Sequence, residues 1–455
     1  MSDLEAALVY AKDHQTDFLE EFLSFLRIPS ISTLPDHKDD MHQAADWIAN
    51  RLQSSGFESV AVMPTTGHPV VYGEWMKAGK DTPTILFYGH YDVQPPDPLE
   101  LWISEPFVPQ VRGEDLFARG ASDMKGQVVA HLKAVESMLA TSSLPVNLKY
   151  LIEGEEEIGS PNLGSFISEN KDLLSCDLCL NGDSSILAPD VPAITISLRG
   201  LAYFEIRIQG AAGDLHSGTF GGAVDNPANV LSKLIAGMRD DHGRITLPGF
   251  YDHVRSFSDT ERAEMISMPD EWWKEQSGAS VLFGEQGYSP TERATVRPTL
   301  DVNGMLSGFT GEGSKTVLPA QAMAKISMRL VPDQHPERIK KSLEEYLKTH
   351  APPTVTWELE AMASSPPAIV EHDSSAVHAA SRALEAVWGV KPVFQRQGGT
   401  VPVVGMVQEL LGVDSLMLGF GLPDDNLHAP NEKMHLPNFR RGIETYIRFM
   451  FEISL

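Results

Sequence analysis

Apolar residues at Leu8, Phe18, Phe22 and Phe25 recur with helical spacing, which predicts a helix over Leu4–Arg27 that Pro29 stops. A second helix is expected over Asp40–Ser55, with Trp47, Ile48 and Leu52 on its apolar face and Gly56 just past its end. Short apolar runs at Ser59–Met63, Val70–Trp75 and Thr84–Tyr88 then read as strands. A helix over Met124–Leu139, a strand over Val146–Ile152, a short helix near Leu163–Ser168 and a strand over Asp177–Leu180 follow. Such alternation predicts an α/β fold with a central mixed sheet flanked by helices.

The pattern changes near Leu198-Arg199-Gly200. Tyr203 to Ile208 alternates with period two, as a strand with one exposed face does. Pro227–Met238 reads as a helix capped by Asn226, Ala322–Val331 as strand, Pro336–Lys348 as helix and Thr354–Leu359 as strand. These elements predict an inserted β-α-β-α-β unit of α+β type, from which the chain returns near Ser364-Ser365-Pro366-Pro367. The expected segments are 1–198, 199–365 and 366–455, and a chain of 455 residues is long enough for more than one core. Residues 243–311, rich in Pro, Gly and Trp, show no usable period.

Charge narrows the function classes. With 36 Lys and Arg against 62 Asp and Glu, the net charge of −26 argues against nucleic acid or an anionic membrane as partner. No stretch approaches the roughly 20 apolar residues of a membrane span. Met1 to Asp17 is mixed acidic and helical without a basic-then-apolar leader, so a cytoplasmic location is expected. Cys176 and Cys179 form a C-x-x-C with no second pair, which favours packing over zinc or redox chemistry.

Candidate chemistry lies where apolar runs end. His90-x-Asp92 closes one such run, and a carboxylate there can orient an imidazole toward a metal. Gly120-Ala121-Ser122-Asp123-Met124-Lys125-Gly126, Glu153-Gly154-Glu155-Glu156-Glu157-Ile158-Gly159-Ser160 and Leu180-Asn181-Gly182-Asp183 also put carboxylates at or just past strand-like runs or before a helix. In an open α/β sheet the carboxyl ends of the strands form the ligand-binding edge, so these groups could converge.

Together with Asp214-Leu215-His216-Ser217-Gly218 and Leu427-His428-Ala429-Pro430-Asn431-Glu432, the set resembles the metallopeptidase family of carnosinases, cytosolic nonspecific dipeptidases, carboxypeptidase G, aminoacylases and succinyl-diaminopimelate desuccinylases. The likeness runs from about residue 15 to the C-terminus. It implies a catalytic domain with an inserted lid that dimerises, and two divalent metal ions per chain, zinc or manganese. His90 and Asp183 would hold one ion, Glu157 and His428 the other, and Asp123 would bridge them. Glu156 would be the general base, Asp92 would orient His90, and the peptide bond after Asp123 would be cis.

For substrate, the resemblance implies that His216 polarises the scissile carbonyl and reaches the neighbouring subunit of a homodimer. It further implies that Arg329 grips a carboxylate, with Thr316, Gly399 and Thr400 nearby. Where the carnosinase-like pattern has Glu-Gly-Gly-Ser, this chain has Gln397-Gly398-Gly399-Thr400, which bears on substrate preference rather than on the reaction. Dipeptide hydrolysis is the favoured expectation. A deacylase or desuccinylase of N-acyl amino acids uses the same metals, and a non-catalytic scaffold would require a lost ligand or base, of which there is none.

Overall fold

The computed structural model describes residues 1–265, 267–399 and 401–454. They form two compact units, one of Met1–Ile196, Val370–Gln395 and Met406–Leu455, the other of Ser197–Ile369 and Arg396–Gly405.

In the first unit a mixed sheet runs in the order Ser59–Met63, Val70–Trp75, Asn147–Glu153, Thr84–His90, Leu178–Asn181, Ser415–Met417, Ala193–Leu198. The four strands from Asn147–Glu153 to Ser415–Met417 are parallel, and their neighbours on either side are antiparallel. Asn147–Glu153 and Leu178–Asn181 are buried along their whole length, as is Thr84–His90 but for its first residue. That is why these strands read as unbroken apolar runs rather than as alternation. The helix Lys125–Thr141 is buried on nearly every side. Around it pack the aromatic side chains that the N-terminal pattern flagged, with Phe22 stacked on Phe439 at 5.0 Å.

The single N-terminal helix expected over Leu4–Arg27 is two helices, Asp3–Asp13 and Gln15–Leu26. The break falls at His14, whose backbone leaves helical geometry within the polar run Lys12-Asp13-His14-Gln15, where no apolar side chain anchors the stripe. Of the two cysteines, Cys179 is buried in its strand, whereas Cys176 precedes that strand and is only half-buried. Among the described residues no helix is long and apolar enough to cross a membrane.

The second unit differs from the expected β-α-β-α-β pattern by one strand. Thr299–Ser307, inside the stretch without a readable period, joins the sheet in the order Thr299–Ser307, Gln321–Leu330, Gly200–Gln209, Thr356–Ser365, all antiparallel. With the helices Pro227–Gly237 and Pro336–His350 this makes a β-α-β-β-α-β arrangement, the split βαβ motif. Thr299–Ser307 was hidden because it is an edge strand with a mostly exposed surface and a register shift between Val302 and Gly304.

Candidate metal centre

The parallel strands deliver the candidate ligands to one edge. His90 ends Thr84–His90; Glu156 and Glu157 occupy the tight turn Glu156–Ile158 just past Asn147–Glu153; Asp183 lies just past Leu178–Asn181. His428 comes from the loop after Ser415–Met417, and Asp123 from the loop before Lys125–Thr141. Gly159 closes the turn at φ 85°, a left-handed conformation that glycine adopts without a Cβ clash.

Asp123 stands at the middle. Its Oδ1 lies 3.1 Å from His90 Nε2 and its Oδ2 3.0 Å from His428 Nε2. Glu157 Oε2 is 3.1 Å from the same His428 nitrogen. The ligand atoms fall into two groups that share Asp123: His90, Asp123 and Asp183 in one, and Asp123, Glu157 and His428 in the other, each with its atoms within 4.8 Å of one another. Two imidazoles and three carboxylates, without thiolate, form a donor set that suits two borderline or hard divalent cations.

The electrostatics fit a cation site. Burial alone would raise Asp123, but hydrogen bonds with His428 and His90 hold it below the usual carboxylate range. Burial and the charge of Asp123 push Asp183 up to about 7. Contacts with Asp123 and then Glu157 push His428 up to about 10. Glu156 belongs to neither group. Burial, assisted by Asp183, Asp123 and Glu157 and opposed by His90, raises its carboxyl well above the ordinary range, the direction required of a base that takes up a proton near neutral pH.

Asp92 has a broader task than orienting His90. The shorter contact of His90 Nδ1 is the backbone carbonyl of Asp92 at 3.1 Å, while the Asp92 carboxylate lies at 3.4 Å. That carboxylate also accepts the backbone N–H groups of Glu156 (3.3 Å) and Glu157 (3.1 Å), so it holds the turn that carries both residues. The peptide bond from Asp123 to Met124 is cis.

Four supporting residues were not singled out from the sequence. Glu432, fully buried, accepts the backbone N–H groups of Gly120, Ser122 and Asp123 and pairs with Arg119 at 2.8 Å. Gln94 Nε2 donates to Glu157 Oε2 at 2.8 Å, and Asn181 Oδ1 accepts the N–H of Asp183 at 2.7 Å. Asp425 Oδ2 accepts from Ser122 Oγ and from the N–H of Leu422, both at 2.7 Å. These bonds brace a loop in which Asn426, His428 and Asn431 all take positive φ. A histidine at φ 58° is sterically disfavoured and needs such support. Glu432 stood in a quoted motif; its burial was the signal that sequence could not show.

The candidate substrate residues lie in the second unit. His216 is exposed, its Nδ1 accepting the N–H of Gly218 at 3.0 Å. Its strand pairs antiparallel with Val317–Leu318, and the N–H of Ser217 donates to the Thr316 carbonyl, so His216 and Thr316 are neighbours. Arg329 is half-buried near the end of Gln321–Leu330, and Gly399 is exposed. Thr400 lies outside the described residues.

The model of peptidase family M20/M25/M40 matches residues 86–452. A Cys-Gly metallodipeptidase of Candida albicans is 31% identical over 94% of this chain and 93% of its own length. A mouse Beta-Ala-His dipeptidase is 29% identical over 99% of this chain and 96% of its own length. Among solved structures, an M20 family metallo-carboxypeptidase from Sulfolobus solfataricus superposes with a TM-score of 0.83 at 33% identity, covering 96% of this chain and 99% of that one.

Proposed function

The chain belongs to peptidase family M20/M25/M40, and we propose that it is a cytoplasmic metallopeptidase that hydrolyses dipeptides. The observation that carries this reading is Asp123, whose two carboxylate oxygens each lie against a different imidazole. Two divalent cations, zinc or manganese, held by His90, Asp123, Glu157, Asp183 and His428 would polarise the scissile carbonyl and make water acidic enough to lose a proton near neutral pH. Glu156 takes that proton and passes it to the leaving amine. Asp92 keeps His90 and the Glu156–Glu157 turn in register.

In the second unit Arg329 pairs its planar guanidinium with the substrate carboxylate, supported by Thr316 and the backbone at Gly399 and Thr400. His216 donates to the carbonyl oxygen as negative charge develops there. The bulk of this unit, Ser197–Ile369, close to the expected residues 199–365, is the lid of a homodimer, inserted in the chain between the catalytic segments. Its edge strand Thr299–Ser307, with Val302, Met305 and Leu306 exposed, offers the kind of edge that a second chain can cover.

The test is metal analysis together with a substrate panel. Two ions per chain, loss of activity on chelation, and cleavage of dipeptides but not of N-acetyl or N-succinyl amino acids are expected. One ion or none in active protein, or a preference for the N-acyl substrates, would overturn the assignment. The archaeal metallo-carboxypeptidase supports a second reading, removal of C-terminal residues from longer peptides, and comparable rates on tripeptides would favour it.

A further inference from the structure

Arg329 opens onto a cavity of about 470 Å³ within the second unit. Among the described residues its lining carries three guanidinium groups, Arg199, Arg293 and Arg329, against one carboxylate, Asp301. Strand pairing sets Thr299 opposite Arg329 and Asp301 opposite Ser327, so acid and cation share one small surface. Asp301 also lies 3.9 Å from Arg239, outside the lining, which further reduces what it can offset inside the cavity. Arg293 donates to the carbonyls of Glu285 and Phe283, bonds that orient its charge without cancelling it.

Arg199 is held in the same way by the Gly398 carbonyl at 3.1 Å. Burial, and then the charge of Arg329, bring the Arg199 guanidinium down to about 10, which marks two cations close enough to repel each other. A single carboxylate at Arg329 meets one of the three guanidinium groups on this lining. A ligand with two carboxylates fits such a lining better.

We propose that this cavity receives the C-terminal residue of the substrate and selects one whose side chain carries a second carboxylate, glutamyl or aspartyl. The inference rests on the dipeptidase reading through Arg329.

The experiment uses the full-length, metal-loaded protein and two near-isosteric charge changes on the lining, Asp301→Asn and Asn303→Asp. Alanyl-glutamate is compared with alanyl-glutamine, which differs by the charge alone, and binding of glutarate is compared with butyrate by calorimetry. The expected kcat/KM ratio favours alanyl-glutamate by about tenfold or more. It should rise in Asp301→Asn and fall toward one in Asn303→Asp, and glutarate affinity should move in the same two directions. Because a dicarboxylate can also sit on metal ions, only binding that follows both charge changes counts in favour. If dipeptides are cleaved but the ratio stays near one in all three proteins, the inference fails and the dipeptidase reading survives. If no dipeptide is cleaved while glutarate binding follows both charges, the cavity's preference survives and the dipeptidase reading falls. Glutarate binding indifferent to both changes overturns the inference.

Discussion

Replacing Glu432 by Gln tests whether the loop around the metal centre is held from behind by one buried carboxylate. Oε2 accepts from Arg119 Nη1 at 2.8 Å and the Gly120 N–H at 2.9 Å, and Oε1 from the N–H groups of Ser122 at 3.0 Å and Asp123 at 3.1 Å. A carboxamide has one acceptor oxygen, so whichever way it turns, its NH₂ meets two donors. Two charge-assisted bonds at about 1.5–3 kcal/mol each give a loss of about 3–6 kcal/mol. Breaking a buried pair from one side gives a similar 3–5 kcal/mol or so. Burial pushes Glu432 up to about 7, against the pull of Arg119, so keeping it ionised already offsets part of the gain and the lower end, near 3 kcal/mol, is expected.

Denaturant unfolding at pH 8, where Glu432 is ionised, should show that loss. Chelator competition should show metal affinity about 10–100-fold weaker, since the Ser122 and Asp123 amides lose their anchor. The double variant Arg119→Met with Glu432→Leu removes both buried charges but leaves the N–H groups of Gly120, Ser122 and Asp123 without an acceptor, so it should recover neither stability nor metal affinity. A Glu432→Gln protein within about 1 kcal/mol of the parent and with unchanged metal affinity would refute the reasoning.

Glu156→Gln should lower turnover by about 100-fold or more with both ions retained, whereas Glu157→Gln should lose metal; the opposite pattern in metal analysis would exchange the roles of the two residues. If Arg329 pairs with the substrate carboxylate as proposed, amidating the C-terminus of a dipeptide removes an interaction worth roughly 1.5–3 kcal/mol, and kcat/KM should fall by about 10–100-fold. Equal rates would give Arg329 another task. Gln94→Ala removes the donor on Glu157 Oε2 and should weaken metal binding by about tenfold in chelator competition without unfolding the protein; unchanged affinity would make that bond incidental. Mixing inactive His216→Ala with inactive Glu156→Gln subunits should restore one working site per heterodimer, up to about half the parent rate, and no recovery in verified heterodimers would return His216 to its own chain.

What the sequence made legible was the part governed by local pattern. Strands buried on both faces appear as runs, as Thr84–His90 does, and their ends pointed to His90, to the carboxylates of Glu153–Glu157 and to Asp183, while only the family resemblance separated Glu157 from its neighbours. The edge strand Thr299–Ser307 was not legible, since a half-exposed strand with a register shift carries neither a run nor clean alternation. The three-residue strands Gln110–Arg112, Asp115–Phe117 and Lys433–His435 are too short to show a period, although their pairing fixes the end of the His428 loop. The supports of the site were hidden for another reason. Glu432 and Gly120 bond across most of the chain, and nothing local distinguishes a buried glutamate from the many solvated ones.

Charge explains why that support is needed. Asp123, Glu157 and Asp183 stand together with Glu156 beside them, and the raised Asp183 and Glu156 carboxyls record the repulsion and burial this gathering costs. Two divalent cations held by these residues would bring four positive charges against the three carboxylates of Asp123, Glu157 and Asp183, which would leave a slight positive excess beside Glu156. That excess would stabilise the ionised form of Glu156 and so oppose the upward push of burial and of Asp183, Asp123 and Glu157 on its carboxyl. On this reading the ligand carboxylates would tune the base as well as hold the ions. Neutralising one of them should accordingly change the pH profile of any residual turnover along with the metal content, whereas a purely structural role for that carboxylate would change the metal content alone.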